Sequence, residues 1–209
     1  MKKALIVWGG WEGHEPEQVA GILAGRLREN GLEVEISHTL GSLEDGERLK
    51  SLDLIVPIWT MGRIEKKQLD AVLEAVRSGT GIGGVHGGMC DAFREATEWH
   101  YMTGGQWVAH PGGDGVRYTV KIVDHLHPVT NGLSDFEVTS EKYYMHVDPA
   151  VRILAVTYFD QVAMPVAWVK TWGKGRVFYC SVGHDAKAVS LPPALALITR
   201  GLLWAAGVL

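Results

Sequence analysis

Gly84-Val85-His86-Gly87-Gly88 has the form G-x-Z-x-G and closes an apolar, glycine-rich run on a histidine. In that pattern a strand runs directly into a helix, and the flanking glycines let the backbone crowd together without Cβ clashes. The residue at the apex is strained and points into the crevice above the sheet. Here it is histidine, not serine or cysteine. An imidazole in that place can take or give a proton near neutral pH, or bind a metal. The ordinary alternative is a hydrogen-bonded structural histidine, since glycine-rich strand ends are common in α/β proteins.

Three further groups could share the chemistry. His184, followed by Asp185, offers a second imidazole at a predicted strand end, with a turn or capping role as its plain alternative. Glu141 could be a base, a ligand or the residue that orients His86, and Tyr143 and Tyr144 beside it argue against a freely solvated carboxylate. His14 and Glu15 follow a glycine loop, where they either overhang a pocket or cap the first helix. His14, His86, Glu141 and His184 are also enough ligands for zinc or a similar divalent ion. No H-x-x-x-H spacing accompanies them, so no cofactor follows from the sequence and the case for a divalent metal rests on the fold alone. Trp59, Glu15, Gln106, His110, Tyr143, Tyr144 and Asp185 are the candidates for contacting substrate.

These residues need a scaffold, and the apolar pattern supplies one. Residues 4–8 form a short continuous apolar run, as for a buried parallel strand. A polar glycine loop follows, then Pro16 at a first helical turn and Val19, Ile22, Leu23 and Leu27 at helical spacing, closed by Gly31. Strands are expected at 33–38, 53–59 and 82–85, with a short charged helix near 43–52 and a helix marked by Leu69, Val72, Leu73 and Val76. Residues 90–110 read as a helix followed by a loop. Residues 117–124 and 152–159 read as strands, and 138–145 hold Glu141 and the two tyrosines. Residues 165–171 and 176–182 read as a hairpin around Trp172-Gly173-Lys174-Gly175, and 191–206 as a closing helix. Strand–helix alternation of this kind calls for an open parallel sheet with helices on both faces, and ligands bind at the carboxyl ends of such strands. His14, Trp59 and His86 would then meet at one edge.

Composition removes several classes. The 209 residues suit one α/β domain, 1–209, with no linker inside it. Net charge is −4 and no Lys/Arg block occurs, so neither nucleic acid nor an anionic membrane is an expected partner. Cys90 and Cys180 have no metal-type spacing and no disulfide framework. The apolar run after Met1-Lys2-Lys3 is too short for a signal peptide, and a cytoplasmic protein is expected. Eight tryptophans and nine histidines are the unusual inventory. Many sit beside glycines, which suits a pocket wall stacking on a sugar ring, although core packing or contact with a second copy of the chain explains any single one more simply.

With Gly13-His14-Glu15, the His86 stretch, Glu141-Lys142-Tyr143-Tyr144 and Trp172-Gly173-Lys174-Gly175-Arg176-Val177-Phe178-Tyr179 running into Gly183-His184-Asp185, the chain resembles the trehalose-utilisation (ThuA-like) family. That resemblance spans nearly the whole length. It implies the class I glutamine amidotransferase-like fold, a flavodoxin-like three-layer sandwich with a mostly parallel central sheet. It also implies a role in carbohydrate catabolism beside sugar-oxidising dehydrogenases. Amidotransferases of this fold place a cysteine at the elbow with a His-Glu pair from a later strand. His86 at that apex argues against a glutaminase, and Cys90, one helical turn on, is expected to be packed.

Two readings follow. One is an isomerase, lyase or hydrolase acting on a sugar or keto-sugar, with His86 and Glu141 handling protons and a homo-oligomer as the expected assembly. The other is a non-catalytic sugar-binding or regulatory module that kept the crevice and lost the chemistry.

Overall fold

Alternation of apolar side chains along the first strand sets the architecture. In the computed structural model, which describes residues 1–209, β1 (Lys3–Gly10) buries Ala4 and Ile6 on one face and Leu5 and Val7 on the other. A strand buried on both sides has to lie inside a sheet with cover above and below. The chain continues through α1 (Pro16–Glu29), β2 (Glu33–Ser37), α2 (Gly46–Lys50), β3 (Leu54–Thr60), α3 (Lys66–Ser78) and β4 (Gly81–Val85). Then come α4 (Gly87–Cys90), α5 (Thr97–Thr103), β5 (Gly105–Ala109), β6 (Val116–Ile122), β7 (Phe136–Ser140) and β8 (Tyr144–Val147). The last elements are β9 (Arg152–Phe159), β10 (Val162–Trp172), β11 (Gly175–Cys180), α6 (Ala186–Ser190) and α7 (Pro192–Ala205).

Nine strands form one sheet in the order β2-β1-β3-β4-β11-β10-β9-β6-β7. The first five are parallel neighbours, and every pairing from β11 outward to β7 is antiparallel. The expected parallel sheet therefore describes one half of a mixed one. Connection length is the reason. Two residues join β9 to β10 and two join β10 to β11, too few for the crossover a parallel pair needs. Gly173, with φ of 59°, turns the second of these hairpins where the glycine-rich sequence placed it. One apolar core packs α1 and α7 on one face, and a second packs α2, α3 and α5 on the other.

Two segments differ from expectation. Residues 105–109, read as loop, pair antiparallel with β8 as a separate two-stranded ribbon. Glycines on one side and Pro111-Gly112 on the other hide so short a strand from pattern alone. Residues 138–145 divide between the main sheet and this ribbon, and Glu141, Lys142 and Tyr143 form the break between them. Several tryptophans do serve the core. Trp99 and Trp168 are fully buried and donate their indole N–H to the carbonyls of Met89 (2.8 Å) and Thr103 (3.0 Å).

Close packing of α7 on β11 makes a test. A Cβ on Gly201 would lie 2.2 Å from the Phe178 ring. Alanine gains about 1 kcal/mol of helix propensity over glycine, whereas overpacking a core costs about 1–3 kcal/mol. A contact of 2.2 Å belongs to the upper part of that range, about 2–3 kcal/mol, so Gly201→Ala is expected to lose about 1–2 kcal/mol net, a fall of roughly 2–8 °C in Tm for a chain of this size. An unchanged or higher Tm by calorimetry would mean that this contact is looser than described.

Candidate functional site

β4 ends in the elbow that the glycines announce. His86 has φ of 51° and ψ of −140°, a strained conformation for a residue with a side chain, and opens directly into α4. A Cβ on Gly87 would lie 2.8 Å from the His14 ring and one on Gly88 2.9 Å from Ile58 Cα, so both positions need glycine for the approach of other chains. His86 N–H donates to Cys180 O (2.7 Å), and the Tyr179 hydroxyl donates to His86 O (3.0 Å). The side chain is held as firmly. Nδ1 lies 2.7 Å from the carbonyl of Ser181, just past β11, and Nε2 lies 3.0 Å from Glu141 Oε2. Tyr143 stacks on the ring at 3.9 Å. The expected apex is present but not exposed, since His86 is 1% accessible.

Three more imidazoles surround the same carboxylate. His184 Nδ1 is 3.4 Å from Glu141 Oε2, His14 Nε2 is 3.8 Å from it, and His110 Nδ1 is 3.6 Å from Oε1. His14 Nδ1 pairs with Thr60 Oγ1 at 2.8 Å, and the Tyr118 hydroxyl donates to Glu141 O at 3.2 Å. Burial alone would raise Glu141, but the imidazoles of His14, His184 and His86 outweigh it and hold the carboxyl well below the usual range. Burial draws His86 down to about 4, against the pull of Glu141. The carboxylate beside His184 raises that ring above its ordinary value despite partial burial.

These states are in tension at one contact. A carbonyl can only accept, so His86 Nδ1 carries the proton that reaches Ser181 O. A neutral His86 then turns the bare lone pair of Nε2 toward an ionised carboxylate 3.0 Å away. Taking up a proton or another cation at that contact would relieve the repulsion. His14, His86, Glu141 and His184 bring one ligand atom each within 4.8 Å of one another, and three imidazole nitrogens with one carboxylate oxygen suit zinc or a similar ion. Nδ1 of His184 and Nδ1 of His110 have no aligned hydrogen-bond partner in the protein, as unused ligand atoms would.

A cavity of about 130 Å³ adjoins the cluster, lined by Trp11, Met61, Asp91, Arg94, Trp107, Tyr143, His14, His110 and Glu141. His14 and Glu141 span cluster and cavity, while His86 and His184 stand behind them. Of the expected contact residues, His110 and Tyr143 reach the cavity. Trp59 does not, because its ring covers Gly9 and Gly62, where an added Cβ would touch it at 2.6 Å. Glu15 Oε2 accepts from Ala186 N–H (3.0 Å) and Asp185 Oδ1 from Ala188 N–H (2.7 Å), so both clasp the start of α6. Strand alternation turns Gln106 away from Trp107, and Tyr144 begins β8 just past Tyr143. Gln106 sits opposite His146, and Tyr144 packs on Phe159. Cys90 is buried, which pushes its thiol well up.

Sequence reading missed Trp11, Asp91 and Arg94. Arg94 holds both Asp91 oxygens (Nε 2.6 Å, Nη2 2.9 Å) and lies 4.8 Å over the Trp107 ring. An Asp and Arg three residues apart just past the elbow were the available signal. Met61 and Phe93, both at positive φ, lock this segment to the end of β3 through Met61 N to Asp91 O (2.8 Å) and Phe93 N to Met61 O (3.0 Å).

The ThuA family model, described as trehalose utilisation, matches residues 3–205. No curated protein is matched in sequence. Among solved structures, a ThuA-like protein of Parabacteroides merdae superposes with a TM-score of 0.80 at 20% identity, covering 98% of this chain and 90% of that one. A cytoplasmic protein of Salmonella typhimurium gives 0.75 at 17% identity, covering 98% and 99%. A β-galactosidase from Rahnella sp. R3 gives 0.66 at 16% identity, covering 98% of this chain but 31% of that enzyme. At these identities the likeness is one of fold. No helix is long and apolar enough to cross a membrane.

The two shifted imidazoles act on stability with opposite signs. Between pH 6.5 and about 4 the native His86 binds fewer protons than the unfolded chain, so its contribution falls as acid is added through that window. His184, raised, contributes fully below 6.5 and loses that contribution as pH climbs through its folded value. In imidazole NMR titrations His184 is expected to titrate above 6.5 and His86 near 4. Glu141→Gln should lower the His184 midpoint, and a midpoint that does not move would refute the pairing.

Proposed function

This chain belongs to the ThuA, or trehalose-utilisation, family, and from that premise we propose that it acts on a sugar or keto-sugar by acid–base chemistry. The observation that carries the reading is the buried contact between His86 Nε2 and Glu141, at 3.0 Å, with the other histidine nitrogen already committed. An imidazole and a carboxylate at that distance can pass a proton between them. Glu141 and His14 are the members that face the cavity, so they meet substrate, and His86 and His184 set their charge and position. A ketone acidifies the adjacent C–H, and a carboxylate beside it can then move that proton in an isomerisation or elimination. With histidine at the elbow and Cys90 buried, the nucleophile a glutaminase needs has no counterpart here.

The four convergent ligand atoms favour a second form of the same reading, in which a divalent cation bridges the cluster. His14, His86, Glu141 and His184 would hold it. Such an ion would polarise a carbonyl or lower the pKa of bound water.

Incubation with trehalose, 3-keto-trehalose and 3-keto-glucose, with zinc, manganese or magnesium and after chelation, separates these forms. Turnover that survives chelation belongs to the proton-sharing pair, and turnover restored only by metal belongs to the ion. In either case Glu141→Gln and His86→Asn are each expected to lose a factor of ~10² to 10⁴ in rate. Full turnover by both variants would refute the reading. Tight sugar binding with no consumption by the wild type would instead assign a binding module.

A further inference from the structure

A sheet that does not close on itself ends in two strands with one side unpaired. Such an edge is a template for another chain unless it is blunted. Here the end strands are β2 and β7. β2 is blunted, because Glu33 and Glu35 stand along it and the Arg28 guanidinium donates to the carbonyl of Val34. A second β2 laid antiparallel and centred on Glu35 would set two glutamates directly opposite each other, which is repulsive.

β7, Phe136-Glu137-Val138-Thr139-Ser140, lacks both protections. It pairs with β6 alone, and no other backbone or side-chain group of the chain bonds to its peptide groups. No proline, lysine or bulge interrupts it. A groove of about 310 Å³ follows this edge, lined by Glu137, Val138 and Thr139 of the strand and by Lys187, Ala188 and Leu191 across from it.

The residues of β7 narrow what could seat there. Antiparallel self-pairing centred on Val138 sets Val138 against Val138, Phe136 against Ser140 and Glu137 against Thr139. Phe136, Val138 and Ser140 share the buried face, so only apolar and small groups meet on that side. On the exposed face each carboxylate meets a hydroxyl that can donate to it, and no like charges oppose each other. Arg117 already balances the charge of Glu137 from β6. Main-chain hydrogen bonds along an open edge then supply the affinity.

We infer that β7 is an assembly surface and that its occupant is a second copy of this chain, joined β7 to β7 in antiparallel register about Val138 to make one continuous sheet. Such a contact is isologous and closes at two copies. It also clamps the strand that ends one residue before Glu141. The assembly does not depend on what the cavity binds.

Sedimentation equilibrium of the full chain over a concentration series is expected to show monomer and dimer in exchange. Thr139 is exposed, and Thr139→Glu sets a carboxylate against Glu137 of the second copy twice in each dimer. Its Kd is expected to rise about 2- to 30-fold. Thr139→Lys sets the opposite charge there and is expected to lower Kd by a similar factor. A wild type that stays monomeric throughout overturns the inference. A dimer whose Kd neither substitution moves, or both move in the same direction, overturns the assignment to β7. Should either variant not fold, hydrogen exchange of the wild type decides. Amides within residues 136–140 are expected to gain protection as concentration rises, and protection that rises only elsewhere overturns the pairing.

Discussion

An ionised carboxylate withdrawn from water costs several kcal/mol unless charges and hydrogen bonds surround it. Glu141, 6% exposed, is where this protein meets that constraint. Four imidazoles answer it, and none is a sequence neighbour of another. His86 has the least freedom. Its amide, its carbonyl, its Nδ1 and one ring face are each engaged, which leaves Nε2 a single direction, toward the carboxylate. The cluster is therefore an arrangement that only the completed sheet can hold.

Sheet order explains how the parts arrive. In the parallel half β1, β3, β4 and β11 lie side by side, so their carboxyl ends and the segments just past them bring His14, Thr60, His86 and Ser181 to one place. The antiparallel half contributes differently. Where the chain leaves β7 for the ribbon it delivers Glu141 and Tyr143 over the elbow, and the ribbon itself adds Trp107. Backbone strain follows the same geography. Glu15, Met61, His86 and Phe93 all adopt positive φ in the segments at this end of the sheet, while Asp160, the other side-chain-bearing residue to do so, turns a hairpin. Strain of that kind persists where the surroundings over-determine the conformation.

The resulting site divides its labour by depth. His86 forms a dry floor, the partly buried His184 flanks it, His14 and Glu141 reach from the cluster to the cavity, and Tyr143, Asp91, Arg94, Trp11 and Trp107 shape the space in front. The elbow is kept, but its apex points inward to a carboxylate under a tyrosine ring. Of the cluster, it is the carboxylate that the histidine holds, together with His14, that lines the cavity.

Local pattern carried much of this. Continuous apolar runs marked β1 and β3, alternation marked β2, Gly173 marked the hairpin, and the glycines around His86 marked the elbow, because each of these depends on residues close together in the chain. The cluster His14, His86, Glu141 and His184 was also legible, as strand ends share an edge once the sheet is parallel. Direction was not. Whether Trp59 faces ligand or covers Gly9, and whether Asp185 reaches the cavity or caps α6, depends on neighbours far away in sequence. The same is true of the pairing of residues 105–109 with β8 and of the contacts that make Arg94 a cavity residue. Sequence alone determined which chemical groups stand at the ends of which strands. Tertiary structure decided which way each side chain turns and what surrounds it, because burial and hydrogen-bond geometry are set by chains that meet only after folding.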